Sequence, residues 1–303
     1  IRGNWNAPAL TDYDGDHSYT YGQVAEQVAR LELMFEHLGI GAGDKVSICG
    51  KNCSNWGLAF LATLAHRCVV VSILPDFTTE SIHELVRHSD SKLLFVNPAI
   101  MKRLDAAQMS QLVSIVSLDD FSSIAGQTVS SDFIDTWMKE RYPKGFSIRD
   151  VHYPTDNFDE LALINYTSGS TGSPKGVMLT HRSLSANVVY GQTNIPNHPG
   201  QSIVSILPLA HMFGMMFELL YQMAGGTHIY FITRNVTAPI MLKAFHDVQP
   251  YMILTVPLVI EKIFKKSIFP AIQKQPVKTL WNMPLINRPI RRKVYQKLMD
   301  AFG

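Results

Sequence analysis

The stretch YTSGSTGSPKGVMLTH runs from Tyr166 to His181 and decides the fold. It places three glycines, several hydroxyl residues and Lys175 together, and an apolar run lies on each side. The run before it predicts a buried strand, and the run after it predicts a strand followed by a helix. Glycines let a backbone approach a phosphate, hydroxyls add donors, and a lysine adds a mobile charge. The stretch therefore predicts a loop that binds a polyphosphate.

This loop differs from the common Walker A loop. Pro174 occupies the fifth position after Gly169, and Gly176 follows Lys175 where a Walker A loop has Ser or Thr. An exposed Gly/Ser linker is the other interpretation. Linkers rarely lie between two apolar runs, and a Pro-Lys-Gly ending serves no purpose in one. Phosphate binding is the favoured interpretation.

Thr167 to Gly176 resembles the phosphate-loop signature of the adenylate-forming superfamily, which includes acyl-CoA synthetases, luciferases and adenylation domains. The pattern Thr-Ser-Gly-Ser/Thr-Thr-Gly-x-Pro-Lys-Gly matches without a gap. SILPLAHMFGM (Ser205–Met215) is similar to a second family motif, and TVPLVIEKIFKK (Thr255–Lys266) resembles a segment of long-chain fatty acid–CoA ligases. The resemblance covers nearly the whole chain and is weakest between about Leu118 and Asp159.

The resemblance implies an α/β fold: the large N-terminal domain of adenylate-forming enzymes, with mostly parallel sheets flanked by helices. Three parts are expected, namely a first α/β half (1–117), an irregular surface excursion (118–160) and a phosphate-loop half (161–303). The sequence holds nothing similar to the family's Tyr-Gly-x-Thr-Glu segment, its hinge or the catalytic lysine of its C-terminal lid domain. We therefore expect a partial N-terminal domain of a longer enzyme, inactive alone.

Hydrophobic periodicity independently predicts alternating strands and helices, and hence a parallel sheet covered on both faces. Thr20 and Gln23 form a capping box before the first long helix. The other predicted strands are Lys45–Cys49, Val69–Ile73, Leu93–Val96, Ser202–Leu207, His228–Ile232 and Met252–Leu254. The other predicted helices are Trp56–His66, Thr79–His88, Phe213–Met223, Pro239–Asp247 and Arg291–Phe302. Two more helices are predicted, one from about Leu184 and one after Pro257.

Members of the superfamily join a carboxylate to the α-phosphate of ATP, and a thiol then displaces AMP. The resemblance implies that the β- and γ-phosphates, bridged by Mg²⁺, bind a set of seven residues: Thr167, Ser168, Gly169, Ser170, Thr171, Gly172 and Lys175. Lys175 and His211 are the candidate catalytic residues. No metal ligand is assigned, because the family's magnesium-binding glutamate has no counterpart before Gly303.

His211 matches a family residue at the mouth of the acyl pocket, near the α-phosphate. The alternative is a histidine that caps the helix after it. Met212, Phe213 and Met215 suit an acyl chain, although core packing explains them equally well. Amino-acid-activating relatives place an aspartate here to hold the substrate ammonium, and Ala210 to Met212 offers none. A fatty or other apolar acid is therefore favoured.

The implied function is ATP-dependent activation of a long-chain fatty acid and its transfer to CoA, with ATP, Mg²⁺ and CoA as cofactors or co-substrates. One alternative is an acyl-AMP ligase that loads a carrier protein. Another is an inert module that binds a nucleotide or lipid. The expected partners are small molecules, and no nucleic acid is expected. Peripheral membrane contact and the oligomeric state are left open.

Composition and charge fit a globular protein, with 46% hydrophobic and 17% charged residues. The net charge is +2, but Ile260 to Gly303 holds ten Lys or Arg against two acidic residues. This basic end suits anionic lipid, CoA phosphates or nucleic acid, although solvated helix faces are the favoured explanation. Three cysteines argue against a disulfide framework. We expect a cytoplasmic protein, with membrane association as the alternative.

Overall fold

The computed structural model describes residues 1–167 and 175–257, together with six single positions (261, 265, 269, 273, 292 and 296). Its strands are β1 (Pro8–Asp12), β2 (Ser18–Thr20), β3 (Lys45–Cys49), β4 (Val69–Ile73), β5 (Ser91–Val96), β6 (Ser114–Ser117), β7 (Ser123–Gly126), β8 (Leu161–Thr167), β9 (Lys175–Thr180), β10 (Ser202–Ser205) and β11 (His228–Phe231).

The described helices alternate with these strands. They are α1 (Tyr21–His37), α2 (Ser54–Ala65), α3 (Thr79–His88), α4 (Pro98–Met101), α5 (Ser131–Arg141), α6 (His181–Asn194), α7 (Met212–Gly214), α8 (Tyr221–Gly225) and α9 (Ala238–Val248). A π-helix, Met215–Leu220, connects α7 to α8. Short 3₁₀ turns lie at Arg2–Asn4, Ala106–Met109 and Ile148–Asp150.

The larger sheet has seven strands in the order β7-β6-β5-β3-β4-β8-β9. Its five central strands are parallel, and the two edge strands β7 and β9 run antiparallel to their neighbours. Val70 of β4 packs into the main core cluster, whereas Val69 and Val71 pack on the opposite face with helix α3. Burial on both faces confirms the predicted parallel sheet covered by helices.

A second sheet has four strands in the order β10-β11-β1-β2, with only β2 antiparallel. Helix α2 packs closely against it at Gly57. A Cβ there would lie 3.4 Å from Leu219, 3.6 Å from Leu10 and 4.0 Å from Phe231. One continuous apolar core therefore joins helices α1 and α2 to both sheets.

Most predicted elements are confirmed within one or two residues. Helix α1 begins with the predicted capping box, since Gln23 N donates to Thr20 Oγ1 over 3.2 Å and Thr20 N donates to Gln23 Oε1 over 2.8 Å. The run Phe213–Met223, predicted as one helix, is helical throughout but includes the π-helix. The two short strands β1 and β2 were not predicted.

The strand predicted at Met252–Leu254 is wrong. Ile253 and Leu254 pack against the core cluster formed with helix α9, so burial explains their apolar character without a neighbouring strand. The region 118–160, expected to be irregular, contains β7 and α5. Ser130 caps α5, which buries only Ile134 and Met138, and so narrow an apolar stripe gives a weak periodic signal.

Two further predicted helices, the one after Pro257 and the one at Arg291–Phe302, lie almost entirely outside the described residues. The basic chain end falls in the same region. Among the described helices, none has the length and apolar character needed to cross a membrane.

Candidate active site

Strands β8 and β9 form a hairpin at the edge of the seven-stranded sheet. Thr167 pairs with Lys175 at the loop end of this ladder, and both residues are exposed. The other five predicted phosphate-binding residues (Ser168, Gly169, Ser170, Thr171 and Gly172) lie outside the described residues. The structure thus brings a hydroxyl and an ammonium group together at the two ends of the predicted loop.

Packing within the hairpin leaves little space for a side chain at Gly176 of β9. A Cβ on Gly176 would lie 3.0 Å from Ile164 Cγ2 and 3.3 Å from Tyr166 Cε1. Tyr166 is buried, and its hydroxyl lies 2.7 Å from Nδ1 of His88 at the end of α3. This bond ties the last buried residue of β8 to a helix, so the loop starts from a fixed strand.

Asn165 connects this strand to the second predicted motif. Its buried side-chain amide donates to Ser72 Oγ of β4 over 2.7 Å and to the main-chain carbonyl of Ala210 over 2.9 Å. Ala210 is the residue before His211. The strand that leads into the predicted phosphate loop is therefore joined to the segment that presents His211.

His211 is exposed and occupies the N-cap of α7, where its Nδ1 accepts a hydrogen bond from Phe213 N over 3.3 Å. The capping role considered for it is thus observed. An imidazole whose Nδ1 accepts has its proton on Nε2 when it is neutral. Nε2 has no hydrogen-bond partner among the residues described here. It is free to donate to an anionic oxygen.

The candidate acyl-pocket residues do not share one environment. Phe213 is 42% exposed and Met212 is half-buried, so both accompany His211 at the start of α7. Met215 is fully buried and packs in the main core. Gly214 lies against the preceding loop, since a Cβ there would be 2.4 Å from the carbonyl oxygen of Pro208.

Two polar side chains that the sequence analysis did not single out hold the loop before His211. Asn52, between β3 and α2, donates to the Leu207 carbonyl over 2.7 Å and accepts from Leu209 N over 2.9 Å. Glu218 of the π-helix accepts from Ser205 Oγ, Ile206 N and Leu207 N over 2.8–3.1 Å. Burial raises the pKa of the Glu218 carboxyl to about 8.

The sequence contains a signal for Glu218 and for Asn165, but none for Asn52. Glu218 is the single charged residue in MFGMMFELL (Met212–Leu220), and Asn165 is the only side-chain amide in LALINY (Leu161–Tyr166). A polar residue within an apolar run is costly unless it is hydrogen-bonded, so each could have been noted. Asn52 contacts a loop more than 150 positions away, and no local pattern indicates such a contact.

A cleft of about 500 Å³ opens at the carboxyl ends of strands from both sheets. Asn52, Lys51 and Pro75 are among its lining residues. Open α/β sheets commonly bind ligands at this edge, but Thr167, Lys175 and His211 are not among the residues that line this cleft. Within the described ranges, no group of three or more His, Cys, Asp or Glu residues could hold a metal ion.

Comparison with known proteins agrees with this architecture. The model of the AMP-binding enzyme family matches residues 2–303, and the chain belongs to this family. It is 24% identical over 299 residues to the long-chain-fatty-acid–CoA ligase heimdall of Drosophila melanogaster, covering 91% of this chain and 41% of that protein. The chain thus spans less than half the length of this relative.

Solved structures show the same fold. The inhibitor-bound N-terminal domain of FACL13 from Mycobacterium tuberculosis superimposes with a TM-score of 0.71 at 18% identity, covering 91% of this chain and 65% of that one. ATP-bound MatB from Rhodopseudomonas palustris gives a TM-score of 0.66 at 19% identity, covering 82% and 46%. The expected fold of an adenylate-forming N-terminal domain is confirmed.

Proposed function

We propose that this chain belongs to an enzyme that activates a long-chain fatty acid with ATP, forming an acyl-adenylate and pyrophosphate, and then transfers the acyl group to CoA. ATP, Mg²⁺ and CoA are the small molecules involved. The proposal rests above all on one contact, the bond from Asn165 to the Ala210 carbonyl, because it joins the hairpin of the phosphate loop to His211.

The site must bring two anions together, so its main tasks are alignment and charge neutralisation. Lys175 would offset charge on the β- and γ-phosphates, and the Thr167 hydroxyl would add a donor. The His211 Nε2–H would donate to a carboxylate or α-phosphate oxygen near the mouth of the acyl pocket. Mg²⁺, when bound, would neutralise the phosphates and hold them in one geometry.

The acid is proposed to be fatty on two grounds. The Drosophila relative is named a long-chain-fatty-acid–CoA ligase. The segment from Ala210 to Met212 also contains no acidic side chain that could hold an ammonium group, and Phe213 next to it is an exposed aromatic residue. An amino acid would bury an unpaired ammonium here, which is costly.

ATP–pyrophosphate exchange tests the adenylation step directly. The full-length protein containing this chain should show exchange with palmitate-like acids and little with acetate or amino acids. The exchange should require Mg²⁺. If no carboxylic acid supports exchange, the proposed activity is wrong.

The acceptor is tested separately, because exchange requires only the first step. The acyl-adenylate is offered either CoA or a holo-carrier protein, and the thioester formed is measured. Thioester formation with CoA supports the proposal. Thioester formation with the carrier protein alone would replace the CoA ligase with a carrier-loading ligase.

A further inference from the structure

Glu218 is a buried carboxyl group, and within the described part of the chain all its side-chain hydrogen bonds go to the segment Ser205–Leu207. The residue is 0% exposed and lies in the π-helix, in a stretch that is otherwise apolar. Burial of a carboxyl among apolar side chains is costly unless hydrogen bonds offset it. A π-helix inside a longer helix often marks a functional position. The hydrogen bonds of the Glu218 carboxyl therefore indicate which part of the fold it stabilises.

All three donors to Glu218 come from consecutive residues. Ser205 Oγ lies 2.8 Å, Leu207 N 3.0 Å and Ile206 N 3.1 Å from the same oxygen, Oε2. Strand β10 ends at Ser205. The carboxyl oxygen therefore accepts the two backbone N–H groups that leave the sheet at this point.

Further backbone hydrogen bonds hold the same segment as far as His211. The Pro208 carbonyl accepts from His211 N over 2.9 Å, and the His211 carbonyl accepts from Met215 N over 3.0 Å. Gly214 packs directly against Pro208. A movement of Ile206 and Leu207 would consequently displace the histidine ring.

We propose that Glu218 is a positioning residue, which fixes the turn after β10 and so sets where the His211 ring stands in the site. This inference rests on the proposed function for the role of His211 in catalysis, but the position of the ring can be measured without any activity. Glu218 itself contacts no substrate in this scheme.

The other carboxyl oxygen, Oε1, is buried and has no hydrogen-bond partner among the described residues. Only Ser205, Ile206 and Leu207 favour the charged form, and no charged group of the described part opposes or supports it. Above the raised pKa, this oxygen would hold an uncompensated charge. Ionisation should therefore lower the stability of the folded protein, while it strengthens the three hydrogen bonds to the turn.

Three substitutions separate positioning from simple packing. Glu218→Met keeps the volume and removes the acceptor, whereas Glu218→Gln keeps an acceptor oxygen and is neutral at every pH. Gln222→Met is the control: Gln222 is equally buried in α8, but it bonds to Asn197, Tyr251 and Phe217, none of which lies in the loop.

The first readout is the His211 ring in the ¹⁵N NMR spectrum of histidine-labelled protein, assigned with His211→Gln. Glu218→Met should shift the ring signals, Glu218→Gln should restore most of the shift, and Gln222→Met should leave them in place. Unshifted signals in Glu218→Met would overturn the inference. This readout does not depend on catalysis.

The second readout is exchange activity in the full-length protein. A misplaced catalytic group costs about 10- to 100-fold, so Glu218→Met should lower kcat by about that factor while the Kd for ATP changes little. The loss should disappear when His211 is already Ala, because the two residues act together. Equal losses in both backgrounds would overturn the inference.

The two proposals fail in different ways. Wild-type protein without exchange would end the proposed function, and the NMR comparison would still decide whether Glu218 positions His211.

Discussion

The side-chain amide of Asn165 donates to the main-chain carbonyl of Ala210 across 2.9 Å. Asn165 is part of the strand that enters the predicted phosphate loop, and Ala210 precedes His211. Asn165 and Ala210 lie 45 positions apart in sequence, so one buried side chain holds the two motifs at a fixed separation. An enzyme that aligns a nucleotide with a second substrate needs such a connection.

Asn165→Ala should weaken both stability and alignment. Loss of the amide leaves the Ala210 carbonyl without this donor, which costs about 1–3 kcal/mol in the free energy of unfolding. Urea denaturation measures that cost. Asn187→Ala is the control, because the exposed Asn187 amide donates to the Ser183 carbonyl of its own helix and has no other partner among the described residues. Equal midpoints for both variants would show that the Asn165 bonds are unimportant.

Lys175→Met should remove the ammonium group from the hairpin and leave its fold intact, because Lys175 is exposed. Loss of a group that stabilises developing charge costs about 2–4 kcal/mol in the transition state. The measurement is kcat/KM for pyrophosphate exchange. Lys139→Met on exposed α5 is the matched control. A Lys175 variant with the same kcat/KM as the Lys139 variant would rule out the assigned role.

Gly214→Ala should destabilise the segment that presents His211. The added Cβ would lie 2.4 Å from the Pro208 oxygen and 3.0 Å from its carbonyl carbon, and these are backbone atoms that cannot turn away. Overpacking of this kind costs about 1–3 kcal/mol. The measurement is the melting temperature of Gly214→Ala. Gly3→Ala is the control, because nothing lies within 4 Å of a Cβ added there. Equal melting temperatures would contradict the close contact.

The stability of the protein should depend on Glu218 ionisation with a defined sign. Its pKa is raised from 4.5 in the unfolded chain to about 8 in the folded protein, so the folded state holds the extra proton between these values. This contribution is fully present below about pH 4.5 and is lost as pH rises to 8, at about 1.4 kcal/mol per pH unit.

Urea titrations at several pH values test this contribution by comparing wild type with Glu218→Gln. The variant should lose less stability between pH 5 and pH 8, the range bracketed by the two pKa values. Glu32 also has its pKa raised by burial, to about 7, so both proteins keep a residual slope. Parallel curves would mean that the Glu218 carboxyl ionises as it does in the unfolded chain.

The sequence predicted the strands and helices more accurately than the tertiary contacts between them. Strands such as Val69–Ile73 and the helix Thr79–His88 were found with the bounds that the structure has, because apolar periodicity and caps are local. Strand β7 and helix α5 were missed, since β7 has only four residues, none of them buried, and α5 buries only Ile134 and Met138.

Only the candidate-site residues that lie in a family motif were predicted from the sequence. The resemblance indicated Lys175 and His211, and the structure adds that they belong to elements joined through Asn165. The loop is supported by Asn52, which follows a strand of the larger sheet, and by Glu218 of the π-helix, and a linear pattern does not reveal either tertiary contact. His211 is observed as a helix cap, and its Nε2 has no hydrogen-bond partner among the described residues, while its role as a substrate donor remains a proposal.

Calorimetric titration of ATP into the folded protein, with and without Mg²⁺, tests most directly whether the hairpin between Thr167 and Lys175 binds a triphosphate. Saturable heat is expected in the wild type and in Lys139→Met, with much weaker binding in Lys175→Met. Absence of any ATP binding by the intact, folded wild type, under either condition, would contradict the proposed phosphate loop.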